Sequence, residues 1–243
     1  MRVNDDVSAF DVRERAALAK ETVRALAEAI PGARAELRGS LADGRADAYS
    51  DVDLLWELPD DVFATGVDRL WTVLTAIRPV ESLRSDPRLQ RSRRHRLVFV
   101  RFAGLPLFWR FDLEVFARSA GRDAACDLAN PDAHGSEWSV AESALANAVA
   151  ALKAHLRRQE DVADALLERA FRRLGQPSPA GDLAGRIGTL ARGATEIEPA
   201  VSELAGRVDA LAHVALPSDC WQGYRRTRRA ALTASCAALG DST

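Results

Sequence analysis

The apolar positions of residues 11–30 recur at helical spacing, with Val23, Leu26 and Ile30 on one stripe of a segment rich in Ala, Arg and Glu. This predicts an amphipathic helix capped by Asp11 and stopped by Pro31-Gly32. Beyond it the period drops to two. "ARAEL" (33–37) reads as a short strand running into Gly39-Ser40, and "DVDLLWEL" (51–58) as a second strand, with a polar loop carrying Gly44 between them. Phe63, Val67, Leu70, Trp71, Leu74 and Ile77 then form one apolar stripe on a helix that starts at Asp60-Asp61 and closes at Pro79. "RLVFVRFAGLPLFWRFDLEVFA" (96–117), rich in β-branched and aromatic residues, predicts two strands joined at Ala103-Gly104.

From Ser119 the pattern changes. "SAGRDAACDLANPDAHGSEW" (119–138) has the Gly, Pro and acidic content of a loop, and only helical periodicity follows it. Leu145, Val149, Leu152 and Leu156 make one stripe, and Val162, Leu166, Leu167 and Phe171 the next. "GQPSPAGD" (175–182) breaks the helices, and further helical segments lie near 183–190, 197–211 and 221–239. No internal repeat is found. The predicted fold class is α+β: a small mixed β-sheet domain, residues 1–118, with helices on one face, followed by an all-α helical bundle domain, residues 119–243.

Composition narrows the class without changing this picture. Hydrophobic residues make up 47% and charged residues 28% of the chain, the balance of a globular protein able to bury a core. A formal net charge of −2 gives no global basic field for nucleic acid or an anionic membrane. No apolar run approaches the roughly 20 residues needed to span a bilayer. "MRVNDDVSAFDVRER" carries acids where a secretory signal has its apolar core, so a cytoplasmic location and no membrane partner are expected. Cys126, Cys220 and Cys236 are scattered and odd in number, which predicts isolated thiols rather than disulfides or a zinc site.

The chemistry concentrates before and within the second predicted strand. Residues two apart on a strand share a face, so Asp51 and Asp53 project side by side while Val52 and Leu54 face the core. Paired carboxylates are hard ligands suited to Mg²⁺, which takes substrate phosphates as further ligands. Gly39-Ser40 adds a turn whose backbone can approach a phosphate and whose hydroxyl can hold its oxygens. An Asp-Val-Asp triplet alone sits more often on a solvated strand face, and the Gly-Ser turn ahead of it shifts the reading. A calcium loop of EF-hand type is excluded by Leu55 and Trp56 at ligand and glycine positions. A phosphate-loop ATPase is excluded by the lack of a Gly-Lys-Ser/Thr triplet.

"RGSLADGRADAYSDVDLL" (38–55) resembles the signature of the nucleotidyltransferase superfamily that includes DNA polymerase beta. In that family Gly-Ser or Gly-Gly precedes, by about ten residues, an aspartate, an apolar residue and a second acid. The fit runs from Gly39 to Leu54 and includes Gly44 and the Tyr49-Ser50 pair. Asp43 departs from it, standing where many relatives carry arginine, and Arg45 is the candidate to supply that charge.

The resemblance implies a nucleoside triphosphate, ATP or another, as co-substrate, with Gly39, Ser40, Arg45 and Ser50 near its phosphates. It also implies two Mg²⁺ ions on Asp51, Asp53 and a third carboxylate from a later strand. "FWRFDLEVF" (108–116) offers Asp112, which fits the usual apolar-acid-apolar pattern, and Glu114 as the reserve. Three such carboxylates can hold two ions and stabilise an in-line displacement, and the third can take the acceptor's proton.

Several other residues have two readings. Arg91–Arg96, "RSRRHR", is either a solvated loop before a strand or a surface for a triphosphate or an RNA backbone. His95 within it has no evident catalytic partner. Glu142, three residues after Ser139, completes a helix capping box. Alternatively Glu142 and Lys153 lie along one flank of the Leu145–Leu156 stripe, Lys153 toward phosphates and Glu142 as a second candidate base. Trp109 and Trp138 read as packing residues, or as stacking surfaces for a base or sugar.

The expected activity is transfer of a nucleoside monophosphate, AMP from ATP, to a hydroxyl of a small molecule. The two-part organisation resembles the aminoglycoside nucleotidyltransferases, and Asp123, Asp127, Asp132 and Glu137 suit a polycationic antibiotic. Two alternatives stand: a toxin-like transferase acting on tRNA or protein, and a nucleotide-binding module without catalysis.

Overall fold

The computed structural model describes residues 12–216. The capping role of Asp11, the helical segment 221–239 and Cys220 and Cys236 lie outside the described residues. Contacts divide the chain into two compact units, one running to Val140 and the other beginning at Ala141.

The first unit is a mixed five-stranded sheet with helices on one face. Helix α1 (Val12–Ala29) leads into β1 (Arg34–Arg38), a single turn of helix, α2 (Gly39–Ala42), and β2 (Val52–Leu58). Helix α3 (Phe63–Ile77) follows, then β3 (Val80–Ser85), β4 (His95–Phe102) and β5 (Phe111–Ala117). The sheet order is β1-β2-β5-β4-β3, with β2 and β5 parallel and every other pair antiparallel. Val52, Leu54, Trp56 and Leu58 on β2 are buried together with Phe111, Leu113, Val115 and Ala117 on β5 and Val98, Val100 and Phe102 on β4. This period-two set forms the core face, against which α1 and α3 lie. Helix α3 comes so close that a Cβ on Gly66 would stand 2.6 Å from Leu58 Cδ1.

Four details differ from the pattern-based expectation. Strand β3 was not predicted, because a bulge between Val80 and Ser82 shifts its apolar residues out of alternation. The two strands of 96–117 do not meet at Ala103-Gly104. Phe102 and Phe111 are separated by a loop in which Leu105, Leu107, Phe108 and Trp109 are buried; Pro106 has no N–H for a ladder, and Trp109 N–H bonds back to its carbonyl at 2.9 Å. Trp71 is 51% exposed and Val162 49%, since the buried stripes run through Phe63, Gly66, Leu70 and Leu74 on α3, and through Ala163, Leu167, Ala170 and Phe171 farther on.

The segment 119–139, whose composition reads as the opening of the helical part, is tied to the loop between β3 and β4. Arg91 N–H bonds to Ala133 O at 2.8 Å, Gly135 N–H to Pro87 O at 2.8 Å, and Gln90 holds both backbone groups of Glu137. The carbonyl of Cys126 in this segment is 3.3 Å from Nδ1 of buried His95 on β4, whose side chain lies with Phe116 on the sheet face opposite α1 and α3.

The second unit is helical: α4 (Val140–Leu156), α5 (Glu160–Arg173), α6 (Leu183–Ile197) and α7 (Ser202–Ala215). Leu145, Val149 and Leu152 are buried on α4 as their spacing predicts. The segment expected as a helix over 197–211 is divided, because Pro199 cannot continue α6 and opens a short turn before α7. Helices α6 and α7 lie along one another, with Gly188 close enough to α7 that a Cβ there would be 2.7 Å from Asp209 Oδ1. Among the described residues no helix is long and apolar enough to cross a membrane.

Candidate active site

Alternation and strand pairing together build the site. On the face away from the helices, β2 presents Asp53 and β5 presents Asp112 and Glu114. The parallel register sets Asp53 directly beside Asp112, with Arg38 of β1 across from Asp53 and Phe99 of β4 across from Asp112. Asp51, two residues before Asp53, precedes the strand. A cavity of about 290 Å³ is lined here by Arg38, Gly39, Asp53, Leu97, Asp112 and Glu114. The sheet therefore joins Gly39, Asp53, Asp112 and Glu114, which are far apart in sequence.

Gly39 sits where β1 ends, at φ +58°, and a Cβ built on it would be 2.2 Å from Asp53 Oδ2. The backbone thus approaches the carboxylate as closely as a residue without a side chain allows. Ser40 follows in the single turn of α2, its carbonyl accepting from Arg45 N–H at 2.9 Å. Arg45 itself is exposed and pairs with Asp43, so the unexpected acid and the candidate cation occupy each other. Ser50 is 6% exposed and donates its hydroxyl to Asp47 Oδ1 at 2.8 Å, while accepting from Asp47 N–H. Its hydroxyl closes the turn before Asp51 instead of facing the cavity.

The acids are organised by Arg110. Its Nε donates to Asp112 Oδ1 at 2.5 Å and its Nη2 to Asp112 Oδ2 at 2.6 Å, a bidentate pair, and Nη2 is 3.7 Å from Asp51 Oδ2. The guanidinium lies 5.3 Å from the Phe99 ring centroid. Burial alone would lower its pKa, but Asp112, Asp51 and Asp53 outweigh that and raise it. Sequence reasoning missed Arg110, although it stands two residues before Asp112, the same spacing that placed Asp51 with Asp53.

Among the described residues no group of three or more His, Cys, Asp or Glu side chains is gathered as a metal site. The donors nevertheless suit Mg²⁺: Asp51, Asp53 and Asp112 carry their negative charge around the Arg110 guanidinium, and all are hard oxygen ligands. Arg110→Met removes the guanidinium that pairs with Asp112 and Asp51. It is expected to cost about 2–3 kcal/mol, below the 3–5 of a fully buried pair because the Arg110 side chain keeps 31% exposure. Mg²⁺ should then raise the melting temperature of Arg110→Met more than that of the wild type, as scanning fluorimetry with and without the ion would record. Equal shifts would separate the acids from any metal.

The remaining candidates fall outside this cavity or in the other unit. Arg91, Arg93 and Arg94 are exposed on the loop before β4. Trp109 is 2% exposed and serves packing, whereas half-buried Trp138 meets Phe99 edge-on at 6.3 Å, with Arg84 5.0 Å from its centroid. Asp127 accepts from Ser92 Oγ at 2.5 Å and Asp123 Oδ1 from Ala125 N–H at 2.9 Å, while Asp132 and Glu137 are exposed. Glu142, half-buried, and Lys153, 6% exposed, belong to the first and last turns of α4 in the helical unit.

His95 is 2% exposed, stacked on Phe116 at 4.1 Å, with Nδ1 3.3 Å from Cys126 O. A carbonyl only accepts, so Nδ1 carries the proton. Burial lowers the pKa of His95; the Cys126 carbonyl, Glu114, Asp127 and Asp123 oppose this incompletely. The folded chain therefore binds the proton later than the unfolded chain as pH falls. Stability should be intact above the unfolded value of about 6.5 and decline below it until the folded pKa is reached, at up to about 1.4 kcal/mol per pH unit. Denaturant midpoints at pH 7.5 and 5.5 should fall less for His95→Gln than for the wild type; parallel losses would assign the dependence elsewhere.

No protein-family model matches the chain, and no significant relative is found among curated proteins.

Proposed function

We propose that the protein is a Mg²⁺-dependent nucleotidyltransferase that moves a nucleoside monophosphate, AMP from ATP, onto a hydroxyl of a small acceptor. The observation that carries this reading is the meeting of Gly39 with Asp53 and of Asp53 with Asp112 at one cavity. A glycine turn for phosphate and acids for its counter-ion are the two halves such a transfer needs. Asp51, Asp53 and Asp112 would hold Mg²⁺. When bound, the ion neutralises phosphate charge and favours the departure of pyrophosphate.

The chain's own residues then have simple tasks. Gly39 and Ser40 orient the β- and γ-phosphates through backbone N–H groups and a hydroxyl. The acceptor oxygen bonds to the α-phosphorus while its bond to the bridging oxygen of pyrophosphate breaks. The acceptor proton passes to a carboxylate. Both oxygens of Asp112 already accept from Arg110, so Glu114, on the same face of β5 and lining the cavity, competes with it for this role. Positioning and charge neutralisation supply most of the rate.

The test is incubation with each labelled nucleoside triphosphate and a panel of aminoglycosides, tRNA and lysate, followed by mass spectrometry. A mass gain of one nucleoside monophosphate on an aminoglycoside supports the small-molecule acceptor; gain on tRNA or protein moves the reading to a toxin-like transferase. Steep weakening of acceptor binding with added salt also marks the nucleic acid. A second reading, a nucleotide-binding module without catalysis, is favoured by one observation: Arg110 fills the acid cluster with the protein's own cation. Calorimetric binding of Mg-ATP without pyrophosphate release would select it.

A further inference from the structure

We infer that Arg15, a residue of α1, is a positioning residue for the Asp51–Asp53 pair. The inference rests on the transferase reading of those acids. Arg15 is 2% exposed, and its Nη1 donates to Ser50 O at 2.9 Å and lies 3.4 Å from Ala48 O. Its guanidinium carbon is 5.8 Å from the Trp109 centroid. The carbonyl held at 2.9 Å belongs to the peptide that ends in the nitrogen of Asp51, so this bond fixes the plane from which Asp51 starts. One residue farther, Val52 N–H bonds to Arg110 O at 2.9 Å. Asp51 is thus fixed from both sides, by Arg15 before it and by the backbone of the β5 approach after it.

The turn ahead of Asp51 adds to this. Asp47 Oδ1 accepts from Tyr49 N–H at 3.0 Å and from Ser50 Oγ, and the Tyr49 ring meets Phe108 edge-on at 5.4 Å. Arg15 closes the underside, where a leucine would pack at less desolvation cost. A guanidinium there is explained by the two carbonyls it faces and by the carboxylates beyond them. Burial lowers its pKa, and Asp47 and Asp51 act in the opposite direction.

Metal binding separates positioning from general stability. Mn²⁺ would be titrated by electron paramagnetic resonance in the presence of a non-hydrolysable ATP analogue, at a temperature where every variant is folded. Arg15→Met is expected to weaken Mn²⁺ binding about tenfold, the effect of losing a residue that orients metal ligands, and Arg15→Lys, which keeps a charged donor, by less. Leu26→Ala, a fully buried position on the same helix, should lose stability yet bind Mn²⁺ as the wild type does. Equal binding by Arg15→Met and wild type, or equal losses in Arg15→Met and Leu26→Ala, would overturn the inference. Asp53→Asn distinguishes its failure from that of its premise. If Asp53→Asn binds Mn²⁺ normally, the reading of the acid pair falls and takes the inference with it; if that binding is lost while Arg15→Met binds normally, only the inference falls.

Discussion

Asp53→Asn is expected to reduce nucleotidyl transfer by roughly three orders of magnitude, about 4 kcal/mol of lost transition-state stabilisation. Asp53 stands where the Gly39 turn of β1 and the acids of β5 meet. It faces the Gly39 turn, stands in register with Asp112 and lies within the field of Arg110. The substitution keeps the shape of the side chain and removes its charge, so the core face of β2 is untouched. Loss of attraction to Arg110 and relief of repulsion from Asp112 and Asp51 oppose one another, and the melting temperature should move by no more than a few degrees. Pyrophosphate release in the presence of the acceptor found by mass spectrometry is the measurement. Turnover within tenfold of the wild type would refute the role of the pair, while collapse of the fold would show Asp53 to be structural.

Gly39→Ala should disable the same site from the backbone side. At φ +58° an alanine is held in the left-handed region at a cost of about 1–2 kcal/mol. Its methyl would also stand 2.2 Å from Asp53 Oδ2, so the carboxylate must turn away or the strand end must shift. The expected result is a drop of about 2–8 °C in melting temperature, with transfer reduced roughly a hundredfold because a ligand is misplaced by an ångström or so. Gly44→Ala is the matched control. Gly44 also has positive φ, but a Cβ there meets nothing within 4 Å, so it should show the stability loss without the catalytic one. Equal activity in the two variants would remove the Gly39–Asp53 approach from the mechanism.

These expectations draw on the sequence and the fold in different proportions. The alternation of β2 and β5 was legible, and with it the separation of Asp53, Asp112 and Glu114 from Val52, Leu54, Leu113 and Val115. The helices α1, α3, α4 and α5 were legible from their periodicity. Strand β3 was not, because its bulge breaks the alternation. The run from Leu105 to Trp109 looked like strand because it is apolar, yet apolar residues also fill loops that fold into a core. The resemblance alone implies a place for Ser50 beside a phosphate; its hydroxyl serves the Asp47 turn.

By itself the sequence determined which side chains share a face, where the apolar stripes run and where a glycine turn precedes a pair of acids. Each of these depends on residues a few positions apart, and backbone geometry fixes them wherever the segment lies. Only the tertiary structure decided that β2 pairs with β5 in the register that sets Asp53 beside Asp112. It likewise decided that Arg110 is the cation among the acids and that Arg15 reaches the turn before Asp51. The β2–β5 register, the Arg110–Asp51 pair and the Arg15–Ser50 bond join residues 35 to about 60 apart, and their energies arise only when the whole sheet closes.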